Sequence, residues 1–271
     1  MGSVVTVRNM RLGEGLPKIC VPLTDVTLDA LTQSARSLSD TAMDFVEWRA
    51  DFYEGLGDAD ARTKALSMLR KELGNIPVLF TIRTKEEGGQ AEISTEDYLV
   101  INRSVIESGL ADLVDVELMK GDEVMKTLVD AAKHSRIRTP QPIAASKNLE
   151  PTLQETVKII GSRHDFDKTP SESEIVNSLC RMQELGADVA KFAVMPTCEK
   201  DVLTLLSATM TMKEHHPETP VITMSMGRLG AISRICGTLS GSAVTFGTVG
   251  NASAPGQLPA DLLKTFLEAL A

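Results

Sequence analysis

Short apolar runs alternate along the chain with segments of helical periodicity. Runs of this length, rich in Val, Ile and Phe and separated by helical segments, are typical of buried parallel strands. Eight such runs occur, at 18–23, 44–50, 77–83, 112–118, 159–164, 188–194, 220–225 and 243–246. The pattern therefore predicts repeated βα units and a parallel sheet that is buried on both faces.

The segments between these runs carry helix signals. Apolar residues recur every four positions over 61–73 and stop at Gly74, a typical helix end. Ser171 and Glu174 have the S-x-x-E form of a capping box, which predicts a helix start at this point. A last amphipathic helix follows Pro259. Each predicted helix thus falls between two strands or after the last one.

Eight βα units in a chain of 271 residues fit a (β/α)8 TIM barrel better than two open sheets. We therefore expect one catalytic domain over 1–271. The short apolar segments 4–8 and 10–12 predict an N-terminal hairpin that closes one end of the barrel.

One interval is too long for this rhythm. From Glu117 to His164 the chain runs 47 residues, whereas a strand, a helix and two short loops need about 25. We assign the surplus to a local insertion around 136–155, which is rich in proline. A short extra helix over 152–160 is the alternative.

Composition excludes several classes of function. A net charge of −9 and an aromatic content of 4% argue against binding nucleic acid, which needs basic and stacking surfaces. No apolar run is long enough to span a membrane, and the first ten residues lack a signal-peptide pattern, so a cytoplasmic protein is expected. The four cysteines form no closely spaced pair, which predicts neither a metal site nor a disulfide.

Strand alternation gathers polar side chains on one face of several strands. Near the C-terminal ends, where barrel active sites lie, the shared faces carry Glu47 with Arg49, Thr81 with Arg83, Asp115 with Glu117, Ser162 with His164, and Lys191. The apolar faces must meet the helices, which points these polar sets inward. The same rule points Thr223 and Ser225 inward, opposite Met224 and Met226. A single charged residue at a strand end is ordinarily a solvated rim residue, but convergence from five strands indicates function.

Lys191 and His164 together suggest a specific chemistry. A partly desolvated lysine can attack a ketone to form an imine, which acidifies the neighbouring carbon. A nearby histidine can then move protons as base and as acid. This chemistry requires neither a metal nor a cofactor.

The chain resembles the type I 3-dehydroquinate dehydratases over almost its whole length. The blocks that carry the resemblance are GEGLPKICVPL, EWRAD, FTIRTKEEGG, LVDVEL, HDFDKTP, AKFAVMP, DVLTLLSAT, ITMSMGRLGAISR, GSAVTFG and ASAPGQ. The resemblance implies a TIM barrel that dehydrates 3-dehydroquinate to 3-dehydroshikimate in the shikimate pathway. It also implies a syn elimination through a Schiff base, no cofactor, and a homodimer.

The resemblance assigns roles to individual positions. Lys191 is implied as the imine-forming lysine, His164 as the general acid/base, and Glu87 as the carboxylate that orients the histidine. The implied substrate contacts are Glu47, Arg49 and Arg83 around the hydroxyls, Arg234, Ser253 and Gln257 at the carboxylate, and Met224, Met226 and Phe246 as apolar walls.

Two other functions compatible with a barrel stay open at this point. A class I aldolase-like enzyme would also use a strand lysine, and the glycines after the last strands would hold a phosphate. Arg234 with Ser253 and Gln257 favours a carboxylate instead. A catalytically silent, metabolite-binding barrel is the third possibility, and the presence of both Lys191 and His164 argues against it.

Overall fold

The computed structural model describes residues 2–138, 155–250 and 253–271. Its strands are β1 (Val5–Val7), β2 (Met10–Leu12), β3 (Lys18–Leu23), β4 (Phe45–Arg49), β5 (Val78–Thr81), β6 (Leu113–Glu117), β7 (Lys158–Asp165), β8 (Val189–Val194), β9 (Val221–Ser225), β10 (Val244–Thr248) and β11 (Leu258–Pro259). Its α-helices are α1 (Leu28–Ser37), α2 (Ala59–Leu73), α3 (Thr95–Ser108), α4 (Asp122–Lys133), α5 (Glu172–Glu184), α6 (Glu199–His215), α7 (Gly237–Ser240) and α8 (Ala260–Ala269). Within this part of the chain, none of the helices combines the length and apolar character that crossing a membrane requires.

Strands β3 to β10 form a parallel sheet in which neighbours in sequence are neighbours in space. The sheet closes because β10 pairs with β3, with Thr245 opposite Ile19. A bridge from Val221 to Ser242 joins β9 to the residues that precede β10. Each of the eight predicted runs overlaps one of these strands, so the predicted (β/α)8 TIM barrel is confirmed.

The helix signals in the sequence act as predicted. Asp58 caps α2 by accepting the backbone N–H groups of Asp60 and Ala61, and Gly74 ends the helix with a φ of 56°. Ser171 and Glu174 form the reciprocal capping box at the start of α5. Helix α8 begins directly after Pro259.

Side-chain alternation divides the buried apolar residues into two layers. The outer layer, between strands and helices, contains Val46, Trp48, Phe80, Val114 and Phe192. The inner layer fills the N-terminal half of the barrel with residues such as Phe45, Leu79, Leu113, Ile160, Val189 and Ile222. Val7, Met10 and Leu12 of the β1–β2 hairpin belong to this inner layer, so the predicted hairpin closes the N-terminal end of the barrel.

The alternation rule is wrong for β9. Thr223 points outward, where its hydroxyl is hydrogen bonded to that of Thr209 on α6 at 2.7 Å. Met224 and Met226 point inward and belong to the inner layer. Small hydroxyl side chains can face a packed helix when the helix supplies a hydrogen-bond partner, so polarity alone does not fix the face.

Residues 139–154 of the predicted insertion lie outside the described residues, so that insertion stays a prediction. On its two flanks, Ile137 donates a backbone hydrogen bond to Glu155 at 3.0 Å, so the flanking chain segments lie side by side. The alternative helix over 152–160 is wrong from residue 155 onward, because 155–157 are not helical and β7 begins at Lys158. The buried Ile159 and Ile160 explain the strand, since β-branched residues at adjacent positions serve both apolar layers.

A buried ion cluster ties the hairpin to the N-terminal ends of the strands. The carboxylate of Asp112, just before β6, accepts hydrogen bonds from Arg8 Nε at 2.6 Å and from Arg70 Nη2 at 2.5 Å. The backbone N–H of Val78 also donates to Asp112 Oδ2, at 2.7 Å. Arg8 has a φ of 52°, a left-handed conformation that costs energy for a residue other than glycine, and these contacts offset that cost.

Replacing Asp112 by alanine will strongly destabilise the fold, because two buried guanidinium groups lose their carboxylate. We expect the free energy of unfolding to fall by about 3–5 kcal/mol, measured by urea denaturation. Asp58→Ala, which removes only an exposed helix cap, is the control and should cost about 1 kcal/mol. An Asp112→Ala loss no larger than that of the control contradicts the role of the cluster.

Candidate active site

A pocket opens at the C-terminal ends of the barrel strands, above the inner apolar layer. Of the residues that the sequence predicts for the site, the following line it: Glu47, Arg49, Arg83, Glu87, His164, Lys191, Met224, Met226, Phe246, Ser253 and Gln257. Arg234 lies directly behind them, with Nη1 4.0 Å from the sulfur of Met224. The fold thus brings all twelve predicted residues to one place.

Lys191 projects from the middle of β8 and is 4% exposed. Its Nζ lies 3.7 Å from Glu47 Oε1 and 3.6 Å from Asp115 Oδ2. Its Nζ also stands 4.5 Å from the centre of the Phe246 ring. Neither carboxylate is at hydrogen-bond distance, so the lysine nitrogen stays available to a reactant. Both carboxylates are still close enough to balance a positive charge on Nζ.

His164 stands at the end of β7, and its Nδ1 is hydrogen bonded to Glu87 Oε2 at 2.9 Å. Glu87 comes from the short 3-10 turn Lys85–Glu87 that follows β5. Gly88 ends this turn with a φ of 79°, and a Cβ there would come within 2.3 Å of Phe166. Glycine is therefore required for the turn to bring Glu87 up to the histidine.

The surroundings keep the histidine and its partner uncharged near neutral pH. Burial, with the nearby cations Arg83, Lys191 and Arg49, lowers the pKa of His164 well below its usual range. Burial raises the pKa of Glu87 to about 8, and the neighbouring carboxylates of Glu117 and Asp115 add to the rise against the opposing charge of Arg83. An imidazole that is neutral at pH 7 can accept a proton from a substrate.

Arg83 is surrounded by acidic groups. Its Nη1 lies 2.8 Å from Glu117 Oε1 and 3.3 Å from Glu87 Oε2, and its Nη2 lies 2.9 Å from Asp115 Oδ1. Nη1 also donates to Ser162 Oγ at 3.1 Å. Burial disfavours the charged guanidinium, but these three carboxylates outweigh it and raise the pKa of Arg83 above its ordinary value.

Arg49 and Glu47 are held by neighbours on adjacent elements. Arg49 makes two parallel hydrogen bonds of 2.8 Å to Asp51, which also accepts the backbone N–H of Gln90. Glu47 Oε1 accepts the hydroxyl of Thr81 at 2.9 Å. Both side chains are therefore oriented before any ligand enters.

Arg234 differs from the other arginines because no carboxylate pairs with it in the part of the chain that the structure describes. Its Nη2 donates to the backbone oxygen of Pro255 at 3.0 Å, and its Nε is buried without a partner among the described residues. Burial lowers its pKa to about 10. Ser253 and Gln257 lie in the loop that also contains Pro255, and they hydrogen bond to each other. A buried guanidinium of this kind is suited to bind an anion.

Two residues that contribute to the site, Asp51 and Phe166, were not predicted from the sequence. Asp51 shares the face of Arg49 in the FVEWRAD run, so alternation put them together without revealing their ion pair. Phe166 follows His164 by two positions and lines the pocket, which the same periodicity could have shown. Among the residues in 2–138, 155–250 and 253–271, no three His, Cys, Asp or Glu side chains are grouped as a metal site.

Residues 19–271 match the Type I 3-dehydroquinase family. The chain belongs to this family. It is 44% identical to the 3-dehydroquinate dehydratase of Clostridium kluyveri over 269 residues, which cover 99% of this chain and 98% of the relative. It is 45% identical to the 3-dehydroquinate dehydratase of Klebsiella pneumoniae over 270 residues, which cover 100% of both chains. The crystal structure of the type I 3-dehydroquinate dehydratase from Clostridium difficile, with covalently modified comenic acid, matches with a TM-score of 0.89 at 43% identity, covering 100% of this chain and 98% of that one. Membership in this family argues against both the aldolase-like and the silent barrel.

The raised pKa of Glu87 predicts a pH-dependent stability. The folded state favours the neutral carboxyl, so its contribution is complete below the ordinary pKa of 4.5 and is lost as the pH rises through about 8. Glu87→Gln, which cannot ionise, should therefore gain in melting temperature relative to wild type between pH 5 and pH 9. Glu107→Gln on the exposed face of α3 serves as the control. A difference in melting temperature between wild type and Glu87→Gln that stays constant over this range would contradict a neutral Glu87.

Proposed function

We propose that the chain dehydrates 3-dehydroquinate to 3-dehydroshikimate in the shikimate pathway, through a Schiff base on Lys191. The main support is the pairing of an available lysine with an uncharged histidine in one pocket. In this mechanism His164 Nδ1–H donates to Glu87 Oε2, and this tautomer leaves Nε2 as the proton acceptor. Family membership supports the same reaction, since the relatives are 3-dehydroquinate dehydratases.

The first stage joins lysine and substrate. The neutral amine of Lys191 adds to the C3 ketone, and the resulting carbinolamine takes up a proton from solvent. Its hydroxyl then leaves as water, and a protonated imine remains. Glu47 and Asp115 lie within 3.7 Å of Nζ and stabilise its positive charge. The iminium then withdraws electrons from C2, so that the C2 proton becomes acidic.

The second stage is the elimination. His164 takes the C2 proton, and the electron pair left behind forms an enamine with the iminium nitrogen. The enamine then expels the C1 hydroxyl, to which His164 returns the proton, so the leaving group departs as water. One histidine serves both steps from one side, which gives a syn elimination. Hydrolysis of the product imine restores Lys191.

The remaining residues would hold the substrate. Arg234, with Ser253 and Gln257, would bind the carboxylate, because this buried guanidinium needs an anion. The hydroxyls would face Glu47, Arg49 and Arg83, and the apolar ring face would meet Met224, Met226 and Phe246.

We also propose that residues 1–271 form a single catalytic domain with a local insertion around 136–155. Closure of the barrel by its first and last strands supports a single domain. A homodimer that acts in the cytoplasm without a cofactor stays the prediction made from the sequence.

Borohydride reduction tests the covalent step. In the presence of 3-dehydroquinate, peptide mass analysis should find the reduced adduct on Lys191. His164→Ala should still form this adduct, while its turnover falls by about 10²–10⁴-fold because the acid/base is gone. Lys191→Arg is the control without an adduct. Absence of the adduct under turnover, or near wild-type turnover in His164→Ala, overturns the mechanism.

Arg234→Ala should weaken substrate binding. Loss of a charge-assisted hydrogen bond of about 1.5–3 kcal/mol corresponds to a rise in KM of about 10- to 100-fold, with a smaller change in kcat. Arg228→Ala, an exposed arginine in the same β9–α7 connection, should leave KM unchanged. An unchanged KM in Arg234→Ala means that the carboxylate binds elsewhere.

A further inference from the structure

Asp51 joins two parts of the pocket that come from different strands. It lies in the short 3-10 turn Ala50–Phe52 that follows β4, and its side chain is completely buried. Its Oδ1 accepts a hydrogen bond from Arg49, and its Oδ2 accepts one from Arg49 and one from the loop after β5. Neither strand alternation nor the family resemblance assigns this carboxylate a role. Its contacts show that it holds two elements of the site at once.

The first of these contacts fixes the guanidinium of Arg49. Nε donates to Asp51 Oδ1 and Nη2 donates to Oδ2, both at 2.8 Å, and such a parallel pair of bonds sets the plane of the guanidinium as well as its position. The guanidinium carbon also lies 5.0 Å from the centre of the Phe52 ring. This arrangement leaves Nη1 without a partner among the described residues. Arg49 lines the pocket, so one of its nitrogens remains for a ligand.

The second contact fastens the loop that carries Glu87. Asp51 Oδ2 accepts the backbone N–H of Gln90 at 3.0 Å. The loop is closed at its base, where the backbone N–H of Lys85 donates to the oxygen of Ala91 at 2.9 Å. Glu87 and Gln90 both lie inside this closed loop, so a displacement of Gln90 would be transmitted to the carboxyl group that holds the histidine.

We propose that Asp51 is a positioning residue, which orients Arg49 towards the substrate and fastens the loop of Glu87. This assignment rests on the proposed function, in which Arg49 faces the substrate hydroxyls and Glu87 orients the acid/base. A carboxylate is required because its two acceptor oxygens receive both arginine bonds and a backbone N–H. An asparagine of similar shape has one acceptor oxygen and would place an amide N–H group against the guanidinium.

Asp51→Asn separates this role from packing, because the two side chains have nearly the same shape. The KM should rise by about 10-fold, since the substrate loses an oriented arginine contact. The kcat should fall by about 10-fold, because the loop no longer holds the acid/base pair in its reactive geometry. An unchanged KM or an unchanged kcat in this variant overturns the proposal.

A double-mutant cycle tests whether Asp51 acts on KM through Arg49. Arg49→Ala alone should raise KM at least as much as Asp51→Asn alone. In the double variant, KM should stay within about twofold of that of Arg49→Ala, because Asp51 then has no arginine to orient. Effects on KM that multiply in the double variant would mean that the two residues act independently, and the proposal would be wrong.

Glu72→Gln is the matched control. Glu72 on α2 also pairs with two nitrogens of one arginine, Arg36 on α1, at 3.0 and 2.9 Å, and neither residue lines the pocket. The same change from carboxylate to amide should leave kcat and KM unchanged at this position. Equal kinetic changes in Glu72→Gln and Asp51→Asn would be a general effect of losing an ion pair and would overturn the proposal.

A crystal structure of Asp51→Asn supplies a readout that does not depend on turnover. Arg49 should lose its parallel pair of hydrogen bonds, and the backbone at Gln90 should shift. Arg49 and Gln90 in their wild-type positions would contradict the positioning role. If Asp51→Asn fails to fold, Asp51→Glu, whose carboxylate is displaced by one methylene, replaces it in the cycle and in the crystal with the same expected outcomes. Absence of 3-dehydroquinate turnover in the wild type would instead refute the proposed function, and the crystal structure would still test the contacts of Asp51.

Discussion

The requirement that buried charges be paired governs both ends of this barrel. An isolated ion inside the protein would lose several kcal/mol of hydration, so each charge must find its counter-ion nearby. At the C-terminal end, Arg83 meets this requirement for Asp115 and Glu117. At the N-terminal end, Asp112 does the same for Arg8 and Arg70. The apolar inner layer lies between these clusters and separates the pocket from the hairpin.

The departures from complete pairing mark the proposed chemistry. Lys191 stands near two carboxylates without a hydrogen bond to either, Arg234 lacks an acidic partner among the described residues, and His164 is held neutral by its surroundings. In the proposed reaction, Lys191 would meet the ketone of the substrate, Arg234 its carboxylate, and His164 the proton that is removed. Incomplete pairing lowers the stability of the fold. The ion pairs at both ends of the barrel and the two apolar layers offset this loss.

The sequence predicts the barrel and most of the site because strand alternation in a closed parallel sheet leaves few choices. It places Glu47, Asp115 and Lys191 inside, since their apolar neighbours must meet the helices. It does not predict Glu87, which lies on a turn without periodicity and came only from the family resemblance. It fails at Thr223, whose hydroxyl finds a partner on α6. The different surroundings of Arg83 and Arg234 also stay hidden, because residue type does not reveal which arginine has carboxylates around it.

The pairing of β10 with β3 constrains the order in which the protein can acquire its pocket. Residues 244–246 lie beside 18–20, so the barrel cannot close until β10 has left the ribosome. The loop with Ser253 and Gln257 comes later still. Such sequence-distant contacts are slow to form, and they make folding depend on the last strand. A nascent chain therefore carries Lys191 and His164 for some time before it has a pocket in which they can act.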